Sequence, residues 1–151
     1  MPTIKRFEDL DVWKESRVLN KIIGSLIQEK KFEHNFRLIN QIEGSSGSIM
    51  DNIAEGFERG TRGEFIQFLG YSKGSCGELR SQLYRALDRS YIVQKQFDDL
   101  LKLVSRISAM IHSLIIYLQK TKINGLRKNI PEPNKQNIKS KHNQHNTTNI
   151  T

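Results

Sequence analysis

Cysteine and proline are nearly missing from this chain of 151 residues. The lone Cys76 excludes an intramolecular disulfide, so the fold rests on packing alone. It falls on an apolar helical stripe, where a thiol reads as a small buried hydrophobe. The prolines are Pro2, Pro131 and Pro133. Met1 to Phe7 lacks the apolar run of a secretory signal. No stretch approaches ~18 uninterrupted apolar residues. The expectation is a reduced, cytoplasmic setting with no membrane partner.

Recognisable catalytic chemistry is missing too. The histidines are His34, His112, His142 and His145, and none has a partner at metal-ligand spacing on a periodic segment. A di-iron bundle needs Glu-x-x-His on two helices, and no such pair occurs. Phosphate-cradling glycine loops and the Gly-x-Ser-x-Gly elbow are also absent. Ser45, Ser46, Ser48, Ser72 and Ser75 lie on or beside apolar stripes and read as small packing residues. No catalytic residue, cofactor or metal is expected, and the chain reads as a non-enzyme.

What the sequence does contain is helical periodicity. Leu38, Ile42, Ser45, Ser46, Ile49, Ile53 and Phe57 recur at steps of three or four, one face of an α-helix. Arg59 and Gly60 then supply a cation and a left-handed cap at its end. Thr61-Arg62-Gly63-Glu64 is a capping box, in which the Thr61 hydroxyl accepts from the Glu64 N–H and the Glu64 carboxylate reaches back. A second helix follows, with Phe65, Phe68, Leu69, Ser72, Cys76, Leu79, Leu83, Ala86, Leu87 and Ser90 on one stripe. Connections this short force neighbouring helices to run antiparallel.

Upstream, a helix is expected from an N-cap at Asp9, with Asp11 in its first turn and Leu10, Trp13, Leu19, Ile23, Leu26 and Ile27 on its apolar stripe. Trp13 reads as an anchor of the bundle's end. Downstream, Phe97, Leu100, Leu101, Val104, Ile107, Ile111, Leu114 and Leu118 mark a fourth helix. Its extra Met110, Ile115, Ile116 and Tyr117 make the stripe wider than one seam needs, which signals deep burial or a face given to another subunit. The expected architecture is all-α, an up-down-up-down four-helix bundle over residues 1–122.

Residues 123–151 lack aromatics and are rich in Asn and Lys, the composition of a disordered basic tail. Its His142 and His145 lack a partner on any periodic segment, and the glycosylation-like triplets at Asn146 and Asn149 read as chance without a secretory signal. The net charge of +8 sits mainly there: residues 1–119 carry +2 and residues 120–151 carry +6.

The order of residues through the central hairpin resembles one bacterial family. Ser48-Ile49, Asn52-Ile53-Ala54-Glu55-Gly56, Arg59, Phe65, Phe68-Leu69, Gly74-Ser75 and Glu78-Leu79 are similar to the signature of proteins encoded in intervening sequences of 23S rRNA genes. Phe7-Glu8-Asp9-Leu10 with Val12-Trp13 resembles that family's opening, and Phe32 and Gln41 the start of its second helix. Glu33 and Met50 stand where the family often has proline, and both favour regular helix. The resemblance spans roughly residues 4–120 and implies pentameric rings. It also implies a distant likeness to accessory proteins of diversity-generating retroelements, which bind a reverse transcriptase and nucleic acid.

Within that signature Trp13, Asn52, Glu55, Gly56, Phe65, Phe68, Gly74 and Glu78 read as structural. Glu55 has the i,i+4 spacing for an ion pair with Arg59, and Asn52 reads as a helix–helix hydrogen bond. Gly70, Gly74 and Gly77 each cost roughly 0.5–1 kcal/mol of helix stability, which suggests close approach of a neighbouring helix or subunit, with a hinge as the alternative. Clustered cations suffice for phosphate contact, so Arg59, Arg62, Lys73 and Arg80 are the candidate nucleic-acid contacts. The expected function is a homo-oligomeric binding or scaffolding module for RNA or DNA, with a protein adaptor as the alternative.

Overall fold

The computed structural model describes residues 3–32 and 34–121. The expected tail, with His142, His145, Asn146 and Asn149, and the substitution at Glu33 lie outside the described residues. Among the described residues there are four α-helices: α1 (Asp11–Ile27), α2 (Phe36–Glu58), α3 (Arg62–Asp88) and α4 (Gln94–Lys120).

The chain enters through a short 3-10 turn, Phe7–Asp9, so α1 starts one residue later than an Asp9 cap would give, with Leu10 at the N-cap position. The Asp9 carboxylate takes a hydrogen bond from Arg6 at 3.4 Å instead of capping the helix. The Phe7 ring packs edge-on against Trp13, 5.2 Å between centroids, and folds the turn over the first helical residues. Asn35 caps α2, its Oδ1 accepting from the Leu38 N–H at 3.0 Å. Its Nδ2 donates to the Tyr91 hydroxyl, joining the first and third connections at one end of the bundle.

Gly60 has φ +92°, the left-handed cap that lets the chain leave α2. Thr61 Oγ1 accepts from the Glu64 N–H at 3.2 Å and donates to the Glu64 carboxylate at 2.7 Å. The carboxylate therefore reaches the Thr61 hydroxyl. Val93 opens α4, its N–H donating to Gln96 Oε1 at 3.0 Å.

Helix directions follow from pairs of touching residues. Between α2 and α3, Gln41 meets Arg85, Ser45 meets Gln82, Ser48 meets Ser75, and Gly56 lies against Phe68. One number climbs as the other falls, so the helices are antiparallel. Arg62 with Thr121 and Tyr84 with Phe97 give the same answer for α3 and α4. Glu15 with Arg106 and Glu29 with Gln96 do so for α4 and α1. The result is an antiparallel up-down-up-down bundle.

The core runs along its length through Leu19, Ile23, Ile42, Ile49, Phe65, Leu79, Val104 and Ile111. The serines between α2 and α3 pack there as expected, and they also hydrogen-bond. Ser72 donates to the Ile49 carbonyl at 2.6 Å, and Ser45 to Gln82 Oε1 at 2.6 Å. On the α1 side, Asn20 donates to the Ser46 carbonyl at 2.8 Å.

Among the described residues α4 is long and apolar enough to cross a membrane by length and composition, with a mean hydropathy of 1.4 over its best window. Its buried Val104, Ile107, Ile111 and Leu118 recur at helical spacing and face the bundle, the arrangement of an amphipathic bundle helix, and 22% of that window is buried. Met110, Ile115 and Ile116 are half-buried and Tyr117 is exposed, so the stripe is wider than this bundle covers.

Candidate functional site

The signature residues gather at the α2–α3 end of the bundle. Gly56 is buried there, and a Cβ on it would lie 2.6 Å from Phe68 Cβ and 3.1 Å from the Phe65 ring. This is the close approach that the sequence led one to expect at Gly74. Gly70, Gly74 and Gly77 instead face open space, with nothing within 4 Å of an added Cβ. Their own three-and-four spacing places them on the side of α3 away from Leu69, Cys76 and Leu83. Among the described residues no helix approaches them.

Phe65 is fully buried, edge-on to Phe57. Asn52 turns back to Ser48 of its own helix, donating to both carbonyl and hydroxyl at 2.8 Å. Among the described residues it reaches α3 through the Ser48–Ser75 hydroxyl pair. Glu78 accepts from Gln82 at 3.4 Å. Trp13 is half-buried under Phe7.

The four candidate cations divide into two kinds. Arg59 is bound to Glu55 at 3.0 Å, and its guanidinium lies 5.0 Å from the centre of the Phe68 ring. Arg62 donates to the Thr121 carbonyl at 2.6 Å, closing the C-terminal turn of α4 where a cation suits the helix dipole. Both are occupied within the chain.

Lys73 and Arg80 are exposed and, among the described residues, form no ion pair. They stand two turns apart on one line of α3, about 10 Å by helical rise, and line a groove of about 360 Å³ with Ser105, Ser108, Ala109 and His112 of α4. Two cations, two hydroxyls and an imidazole thus share one crease, a donor set suited to phosphate oxygens.

Cys76 lies between the two cations in the chain, fully buried. Burial pushes its thiol up from 9.0 to about 11, while the charges of Lys73 and Arg80 pull the other way. Burial thus disfavours the thiolate form at neutral pH.

Sequence reasoning found the α3 half of this groove and missed Ser105, Ser108 and His112. Those residues carry their own three-and-four spacing beside the apolar stripe of α4, which was the available signal. A larger cleft of about 470 Å³ opens between α1 and α4, over Ile22, Leu26 and Leu100. Its rim mixes Lys21 with Glu29 and Asp99, so no single charge converges there. Among the described residues no group of three His, Cys, Asp or Glu could hold a metal.

No curated protein matches the chain. A solved structure from Bacteroides thetaiotaomicron, described as a protein of unknown function from the S23 ribosomal protein family, is similar to it. The two share 25% sequence identity with a TM-score of 0.64, over 73% of this chain and 99% of that one. The family model described as 23S rRNA-intervening sequence protein matches residues 8–113, the span that holds the signature, the hairpin and most of α4. The chain belongs to the 23S rRNA-intervening sequence protein family.

Proposed function

We propose that this protein is a non-enzymatic, homo-oligomeric bundle that binds nucleic acid through the α3–α4 groove. The observation that carries this reading is the convergence of Lys73 and Arg80, free of ion pairs among the described residues, with Ser105, Ser108 and His112. Unpaired cations in a crease offer full charge to a polyanion, since no internal pair must break first. Supporting assembly are the half-covered apolar residues of α4 together with exposed Val18 and Ile22 of α1. Rings of five, as the family resemblance implies, would repeat the groove by symmetry.

The test is an electrophoretic shift with single-stranded and structured RNA, run beside light scattering to fix the oligomeric state. Affinity should fall roughly tenfold or more between 50 and 200 mM salt. The charge-reversed Lys73→Glu, Arg80→Glu protein should assemble normally and bind far more weakly. Unchanged affinity in that variant would remove the groove from consideration. No binding by the intact protein at low salt would favour a protein-binding adaptor.

A further inference from the structure

Resting on the nucleic-acid reading of the same groove, we infer that its ligand is single-stranded, with one base stacked on Tyr84. Tyr84 follows Arg80 by one helical turn, so their side chains are neighbours on α3. Seven residues before Arg80, Lys73 continues the same line. Tyr84 is 49% exposed although its ring is well placed by contact. Phe97 of α4 meets it edge-on, centroids 4.8 Å apart and planes at 62°. An edge contact fixes the orientation of a ring and leaves a face for a second partner. Tyr84 stands outside the residues that line the groove, one turn beyond Arg80, and adds a pre-positioned aromatic surface next to that guanidinium.

That combination suits one strand better than a duplex. Single-strand binders combine a basic track for the backbone with rings on which unpaired bases stack. In a duplex the base faces are already stacked on one another, so none is free to lie on a protein ring. The groove holds about 360 Å³, near the lower end of the ~300–1,000 Å³ range of ligand pockets. A space of that size takes a segment of one strand. Lys73 and Arg80, about 10 Å apart along α3, would hold phosphates on either side of an intervening nucleotide, with Ser105, Ser108 and His112 on the opposite wall.

The experiment is fluorescence anisotropy with a labelled single strand of about 12 nucleotides, as RNA and as DNA. The same sequence as a duplex and heparin serve as comparators, all at one salt concentration. Tyr84→Leu removes the stacking face while keeping an apolar contact for Phe97, and Tyr84→Phe keeps the ring. The single strand should bind more tightly than the duplex. Tyr84→Leu should weaken single-strand binding by about 5- to 150-fold and leave heparin binding unchanged, while Tyr84→Phe should bind like the parent. Circular dichroism checks that both variants fold. Equal or tighter binding of the duplex, or an unchanged single-strand affinity in Tyr84→Leu, overturns the stacking inference while leaving the basic groove standing. If neither oligonucleotides nor heparin bind at low salt, the nucleic-acid reading fails along with it.

Discussion

Two glycines of the family signature should respond to the same substitution with opposite signs. Alanine in place of glycine inside a helix gains roughly 0.5–1 kcal/mol from backbone entropy alone. At Gly74 nothing lies within 4 Å of the new methyl group, so Gly74→Ala should realise that gain. At Gly56 the methyl carbon would sit 2.6 Å from Phe68 Cβ, against an optimum of about 3.5–4.0 Å. That atom is bonded to the α3 backbone and cannot swing away, so the two helices must separate by roughly 1 Å. Overpacking of this kind costs about 1–3 kcal/mol. Gly56→Ala should therefore lose roughly 1.3 kcal/mol at mid-range, within bounds of about 0–2.5 kcal/mol, after the helix gain is subtracted. Urea denaturation resolves such differences, and thermal melting should show shifts of roughly 2–8 °C per kcal/mol. A Gly56→Ala protein more stable than the parent would refute the contact geometry. A destabilised Gly74→Ala would refute the open surface and mean that another copy packs on it.

Other consequences follow from single contacts. Ser45→Ala should cost about 1–3 kcal/mol by leaving buried Gln82 Oε1 unpaired, and Ser45→Ala with Gln82→Met should recover much of that loss in equilibrium unfolding. The Cys76 pKa is raised in the fold, so its contribution to stability is complete below pH 9 and is lost as pH rises toward 11. The parent's stability should therefore decline more steeply than that of Cys76→Ala over this window, by up to about 2–3 kcal/mol. Arg62→Ala should speed hydrogen exchange in the last turn of α4 by releasing the Thr121 carbonyl, yet change polyanion affinity far less than Arg80→Ala does.

Local rules explain what was legible in the sequence. Gly60, Thr61 and Glu64 specify the α2–α3 turn because capping chemistry acts within four residues. The Glu55–Arg59 pair is likewise a property of one helix. Relations between helices were harder to read. Nothing in the spacing of Lys73 and Arg80 says that His112 stands opposite, since that depends on the axial register of α3 against α4. Periodicity marked α3's glycines as unusual without saying that they face open space rather than a neighbouring helix. The start of α1 moved because Arg6 competes for the Asp9 carboxylate, a contact outside the helical pattern.

The hydrogen bonds between α2 and α3 bear on which parts of the bundle move. Sliding the pair by one turn, about 5.4 Å, would break the Ser45–Gln82, Ser48–Ser75 and Ser72–Ile49 bonds together and strand polar atoms in the interior. That hairpin is a rigid body. Among the described residues α1 is tied to α2 by the Asn20–Ser46 bond, and to α4 by Glu15–Arg106 and Glu29–Gln96, whose bonds are exposed. Slow shear and partial opening therefore belong to α1, and its central amides should exchange with solvent long before those of Ile49 or Leu79.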